Sequence, residues 1–323
     1  MKKNFLKKIA VVTSLIVMAA SATACGAKKD DGTLKALTIY TDGTPGSSAD
    51  NIMRTLGDII AKDNGIDVEF ENVTGGGGSN AKTAMMSNRK ATSIVMDTCS
   101  LCLEIADGTA PYDLTKLTPV TTIAQEYIAV VVAPDSPFND LNDVIEYARQ
   151  NPGTLKWGAS SAKGSQQLFE QYIVDETGID INYIAYDSAS NAKVAVIAGD
   201  LDVCTASAGN LVSDIAEGVY KCLAVSAPQR YEEIPDVPTL AELGITGAAN
   251  ENSVWRGFFC SSELSDETVA AVAAMVDAAR ETDTWKQFLI NNHISAWDLD
   301  HDKFAAFVNE YLDTCDEAVA HME

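Results

Sequence analysis

The chain has 323 residues, with 46 acidic and 23 basic side chains and a formal net charge of -23. So large a carboxylate excess excludes a nucleic-acid binder, which needs a basic face. The length suffices for two α/β domains with separate cores, and a hydrophobic content of 46% is ordinary for a globular protein.

The chain opens with Lys2, Lys3, Lys7 and Lys8, then an apolar run over 9–20 and small residues to Ala24. This tripartite pattern predicts a secretory signal peptide, 1–24. The apolar run is short for a bilayer core of about 30 Å. Ala22-Thr23-Ala24-Cys25 resembles a lipoprotein cleavage box, with Ala22 where Leu is usual. That resemblance implies lipidation of Cys25 and a membrane anchor, with 25–33 as a polar tether.

Strands are expected at 36–40, 67–73 and 93–97, with helices at 49–62 and 79–87. Ile52, Met53, Leu56, Ile59 and Ile60 share one face of the first helix. The run Tyr127-Ile128-Ala129-Val130-Val131-Val132-Ala133 is continuously apolar, as expected of a strand in a buried parallel sheet. Further helices are expected at 141–150, 165–177 and 191–198, and strands at 156–159, 181–185, 203–206 and 222–226. Helices over 266–282, 285–291 and 301–320 close the chain. Alternation of this kind predicts an α/β fold with parallel sheets. Ligands of such folds bind beyond the carboxyl ends of the strands.

Three Gly/Ser/Thr-rich loops fall at such ends. In 42–50, Gly43 lets the backbone approach a ligand, while Thr44, Ser47 and Ser48 can donate to an anion or cap the next helix. Asp50 reads as a partner of the helix dipole. The second loop, Thr74 to Asn80, runs into Ala81-Lys82-Thr83 and nearly matches a phosphate-binding loop, with Ala81 at the second Gly position. In an exported chain it reads better as a backbone nest. The third loop supplies Ser160, Ser161, Gly164 and Ser165, with Lys163 adding charge. Two helix N-termini facing each other would form a carboxylate pincer. Thr98, Ser100, Thr205 and Ser207 are weaker candidates at other strand ends.

Chemistry of other kinds has little support. His293, His301 and His321 lie near the C-terminus without metal-ligand spacing, and no G-x-S-x-G elbow occurs. Cys99-Ser-Leu-Cys102 reads as two small buried hydrophobes. Exported proteins often pair their cysteines, so the pairing of the six after Cys25 stays open. The expectation is a binding protein without cofactor or metal. A surface hydrolase using one of the serines, or a scaffold lipoprotein, are the competing classes.

Six segments in order resemble the receptors of tripartite tricarboxylate transporters, the Bug family. They are Pro45-Gly46-Ser47-Ser48-Ala49-Asp50 with Arg54; Val68 to Asn72 with the glycines 75–78; Pro134 to Phe138; Gly164-Ser165; Tyr186 with Gly199-Asp200-Leu201-Asp202; and Leu223 to Ser226 with Arg230 and 235–244. The resemblance implies a two-lobed periplasmic-binding-protein fold of type II, with a parallel or mixed sheet in each lobe. Lobe one would be 34–128 with 240–323, and lobe two 129–239. It further implies a monomer that closes on a small carboxylate and docks on membrane permease subunits. Departures are Ser47 at the usual second Gly, residues 88–92 without D-G-Y-T, Leu168 near a common His, and Asp187-Ser188 after Tyr186. An acid at Asp187 could pair with an ammonium group, which points to an amino-acid-like ligand.

Overall fold

The computed structural model describes residues 34–89, 91–160, 164–186, 188–247 and 253–321. The expected signal peptide, Cys25 and its tether lie outside these residues, as do Ser161, Lys163 and Asp187. Leu34–Glu323 form one compact unit.

The first half of the chain alternates strand and helix: β1 (Ala36–Thr41), α1 (Ser48–Asn64), β2 (Asp67–Asn72), α2 (Ser79–Ser87), β3 (Thr92–Thr98) and α3 (Ser100–Ala106). β4 (Leu117–Glu126) then leads through Tyr127 into β5 (Ile128–Val132). A second alternating run follows: α4 (Leu141–Gln150), β6 (Lys156–Ser160), α5 (Ser165–Thr177), β7 (Asn182–Tyr186), α6 (Ala189–Ala198), β8 (Val203–Ser207), α7 (Val212–Ala216) and β9 (Lys221–Val225). The chain ends with β10 (Val254–Ser261), α8 (Asp266–Arg280), α9 (Asp283–Asn291), the short β11 (Ser295–Ala296) and α10 (His301–Val319).

The strands form a six-stranded sheet, ordered β11-β4-β10-β3-β1-β2, and a five-stranded sheet, ordered β7-β6-β8-β5-β9. Both are mixed. β1 runs parallel to β2 and β3, but β10 is antiparallel to β3 and β4. β6 runs parallel to β7 and β8, while β5 is antiparallel to β8 and β9. This agrees with the mixed sheet that the family resemblance implies for each lobe, and only the reading of β5 as a strand of a parallel sheet is corrected. All five residues of β5 are buried. A continuous apolar run reports two covered faces, which is as true of this antiparallel strand as of a parallel one.

One face of the first sheet is covered by α1, α8 and α9, through Ile52, Met53 and Leu56 against Val272, Val276 and Trp285. The other face carries α2, α3 and α10. There a single apolar cluster continues from Val95, Leu101, Phe304 and Val308 to Trp157, Phe169 and Ile173 on the second sheet and α5. Burial of these side chains, each worth about 1.5–3 kcal/mol, joins the two sheets into one body.

Within this core sits an acid. Glu170 of α5 is 1% exposed. Neither carboxylate oxygen makes a well-formed hydrogen bond among the described residues. Burial pushes its carboxyl well above the usual range, with the Thr205 hydroxyl a small counterweight. The folded chain thus keeps this proton after the unfolded chain has released it, near pH ~4.3. Stability drawn from the protonated form is present below that pH and is lost as pH rises toward the folded value. Glu170→Gln should remove this loss and gain about 1–3 kcal/mol at neutral pH. Paired thermal melts from about pH 4 to about pH 8 should show the gap between variant and wild type widening with pH.

Candidate functional site

The three singled-out loops leave the carboxyl ends of β1, β2 and β6, and the weaker candidates Thr98 and Ser100 lie at the end of β3. In the first, the Ser47 hydroxyl caps α1, accepting from the Asp50 N–H at 3.3 Å. Ser48 is the first residue of α1 and exposed, as is Thr44, whose carbonyl accepts from Ser47 N at 3.0 Å. The Gly43 N–H donates to the Thr41 hydroxyl, and a β-carbon at Gly43 would lie 2.7 Å from both Ala49 Cβ and Ser47 Oγ. The turn therefore requires glycine there.

Asp50 does more than face a helix dipole. It is buried, and it accepts from Gly46 N at 2.8 Å, Arg54 Nε at 2.8 Å and Asn72 Nδ2 at 2.9 Å. Asn72 Nδ2 also reaches the Gly43 carbonyl at 2.8 Å. Burial alone would raise the Asp50 carboxyl, but the Gly46 N–H, the Asn72 amide and Arg54 outweigh it and hold it below the usual range. Its charge thus fixes the loop from within, and the Asp50/Asn72/Arg54 triangle links α1 to the end of β2.

Beside this loop lies an ionic cluster that motif reading did not find. Lys82 of α2 has no exposed surface and contacts Asp97 of β3 closely, with Glu104 of α3 at 3.3 Å. Glu104 Oε2 also accepts from Ser79 at 3.2 Å and from Tyr112 at 3.0 Å, while its Oε1 is buried without a hydrogen-bond partner among the described residues. Burial opposes the Lys82 charge, but Asp97, then Glu104, more than restore it and raise its pKa. Lys82 occupies the lysine position of the near-match to a phosphate-binding loop, and these carboxylates engage it. Gly75, Gly76 and Gly78 of that loop take positive φ and form a tight turn into α2.

Asp42 stands at the rim of this cluster, exposed to solvent yet closely surrounded by protein. A β-carbon on Gly78 would lie 2.9 Å from Lys82 Nζ and 3.3 Å from Asp42 Oδ2, which places the two side chains together. Partial burial and then Asp97 raise the Asp42 carboxyl, opposed by Lys82 and Arg256. Arg256, on β10, pairs with the buried Glu126 through Nη2, while its Nε is buried without an acceptor among the described residues.

The loops of the two sheets meet here. Thr98 and Ser100 share a hydroxyl contact of 2.8 Å at the start of α3. Between them, the buried Cys99 thiol is reached by the Ser165 hydroxyl of α5; burial pushes that thiol up to about 11. Ser160 and Ser165 both contact Gln166 Oε1, at 3.3 and 3.1 Å. Gly164 is the N-cap of α5 and, having no side chain, supplies no side-chain cap to that helix. Ser207 is half-buried at the end of β8, opposite Ile128. Thr205 points into the core instead, accepting from Trp157 Nε1 at 2.6 Å. The structure thus sets Ser165 near Cys99, between Thr98 and Ser100, and places Thr205 in the core. The charges around the end of β3 come from Asp42, Lys82, Asp97 and Arg256. These lie far apart in sequence, and only their packing joins them.

The histidines stand elsewhere. His293 contacts Glu233 at 3.2 Å, His301 the Val120 carbonyl at 3.1 Å, and His321 Asp175 at 3.4 Å. All six cysteines after Cys25 are unpaired, and Cys99 and Cys102 are buried as small hydrophobes. Among the described residues no group of His, Cys, Asp and Glu is arranged to hold a metal ion, and no helix is long and apolar enough to cross a membrane.

Two mixed sheets with helices on their faces, joined through one apolar cluster, are the architecture of a two-lobed periplasmic-binding-protein fold. The chain belongs to the tripartite tricarboxylate transporter family receptors, whose family model matches residues 52–322. A UPF0065 protein of Bordetella pertussis is 24% identical over 202 residues, and the match spans 62% of this chain and 62% of that relative. Among solved structures, MatC from Rhodopseudomonas palustris with bound malate superimposes with a TM-score of 0.72 at 20% identity, covering 88% of this chain and 99% of its own. Rpa4515 from R. palustris with adipate gives a TM-score of 0.74 at 20% identity, covering 89% and 97%.

Removing the charge of Lys82 tests the cluster beneath the crevice. Lys82→Met should cost about 3–5 kcal/mol, because Asp97 and Glu104 would be left buried and uncompensated. Adding Asp97→Asn should recover part of that loss. Equilibrium denaturation of the single and double variants measures both.

Proposed function

We propose that the protein is an exported solute-binding receptor of a tripartite carrier. It captures a small organic acid between its lobes and delivers it to a membrane permease. Support for this reading comes from the family match over residues 52–322 and from the packing of α5 against the end of β3, where Cys99 lies in one buried cluster with Leu168 and Phe169. In a two-lobed protein of this family, that contact lies where closure would bring loops of both lobes onto one ligand. The α5 N-terminus, with Gly164 at its N-cap position, presents N–H groups and the positive end of the helix dipole to a carboxylate. Gly43, Thr44 and the segment capped by Ser47 form the opposing wall. The malate and adipate bound by the two R. palustris proteins are acids of the size this reading requires.

The lobes are assigned as 34–128 with 240–323, and 129–239, hinged where β4 passes through Tyr127 into β5. The receptor acts as a monomer, without catalysis. Cys25, once lipidated, holds it at the outer face of the cytoplasmic membrane.

Purified protein should gain thermal stability with C4 to C6 dicarboxylates without consuming them. The gain should approach about 2.7 kcal/mol at a ligand concentration about a hundred times Kd. Ser165→Phe should abolish it; a full response in that variant, or a response only to neutral sugars, would overturn the assignment. Separately, Cys25→Ser should move the protein from the membrane to the soluble fraction on cell fractionation.

A further inference from the structure

Behind the hinge, a turn of the first lobe rests on the second at a place that ligand capture does not use; the inference drawn from it rests on the receptor and lobe assignments above. In the first sheet β4 and β10 are neighbours, and both connect to the second lobe. β4 runs through Tyr127 into β5, and β10 receives the chain on its return. β3 and β1 lie to one side of this pair, and β11 lies to the other. The second sheet repeats the arrangement around β5, with β8 and β6 on one side and β9 on the other. A pivot at these strands therefore separates the crevice from the contact beyond β11 and β9.

That contact is made by the turn between α9 and β11. Asn292 caps α9, and His293 follows with φ 52°, the only non-glycine residue at positive φ among the described residues. Glycine or asparagine is the usual residue after a helix end of this kind, because a β-carbon is strained there. The imidazole in glycine's place has a partner: His293 Nδ1 lies 3.2 Å from Glu233 Oε1, in the segment that follows β9. The backbone of the same turn lies flush on Gly209. A β-carbon at Gly209 would stand 2.8 Å from the His293 carbonyl oxygen and 3.2 Å from that of Asn292. Gly209 is not at positive φ, so close approach calls for glycine there and backbone conformation does not. The turn that carries it is tied to the hinge, since Ala208 N donates to the Tyr127 carbonyl at 2.7 Å. Beside the contact, a cavity of about 330 Å³ separates residues 227–233 from 289–295 and gives the two segments room to shift.

We propose that the His293 turn is a counter-latch: it holds the lobes together behind the hinge, opposes closure of the crevice, and so sets ligand affinity from a distance. Because the two gaps lie on opposite sides of the pivot, a rotation that narrows the crevice lifts His293 from Glu233 and Gly209. A ligand that binds the closed form has its apparent affinity reduced by the fraction of molecules that are closed. Weakening the latch raises that fraction and tightens binding without altering any ligand contact.

The test reads the crevice with and without ligand. Spin labels on Glu71→Cys and Ser190→Cys, both exposed and beyond the crevice ends of β2 and β7, report its width in the full-length protein. A Cys222→Ser background removes the half-buried native thiol, the other described cysteines being buried. Glu233→Gln alters a side chain that is 47% exposed and leaves the fold intact. That variant and His293→Gly should each move the ligand-free label distances toward shorter values. Each should also tighten binding of succinate, glutarate or adipate, measured by titration calorimetry, at least about threefold, as a larger closed fraction requires. Gly209→Ala, which wedges the turn away, should act in the same direction. Unchanged or longer distances in Glu233→Gln and His293→Gly, or tighter binding at unchanged distances, would overturn the counter-latch while leaving a receptor in place. Shortened distances with silence toward all three acids would sink the carboxylate reading and leave the counter-latch standing.

Discussion

A lysine with no exposed surface organises the end of the first sheet where β3 runs into α3. Lys82 can remain charged there only because Asp97 and Glu104 come from two other elements to meet it. Desolvating an unpaired ammonium would cost several kcal/mol, so α2, β3 and α3 are obliged to pack in one arrangement. Tyr112 and Ser79 complete the shell by donating to Glu104. The floor of the crevice is therefore set by charge compensation more than by shape.

The first loop is held by the same logic at smaller scale. Asp50 collects three donors around one buried carboxylate, so that a segment of Gly, Thr, Pro and Ser keeps a defined turn. Flexibility in the residue types is offset by rigidity in the polar network beneath them. On the opposite side α5 has Gly164 at its N-cap position, and its Ser165 reaches across to Cys99.

Much of the fold was legible from periodicity. Helices at 79–87, 141–150 and 165–177 were placed at their observed ends, because each carries a clear apolar stripe or an evident stop. β4 and β10 were missed. Thr118, Pro119, Thr121 and Thr122 break any alternation in β4, and Arg256 and Gly257 interrupt β10. Both strands lie inside the first sheet, and their antiparallel pairing, with β-bulges on the way, is a tertiary fact. At the site, the backbone-rich loops announced themselves by composition. Asp42, Asp97 and Arg256 did not, since an acid or an arginine in so charged a chain has no distinguishing neighbourhood in sequence.

The amino-acid sequence by itself determined the α/β class, the alternating elements and the three Gly/Ser loops at strand ends, because apolar period and turn residues are local properties of the chain. Ser47 could be narrowed to a cap or a ligand group, and the structure made it the cap of α1. Strand direction, and the pairing of charges, were decided only in three dimensions. Lys82 and Asp97 are fifteen residues apart along the chain but in contact. Those are properties of packing, which residue order constrains but does not display.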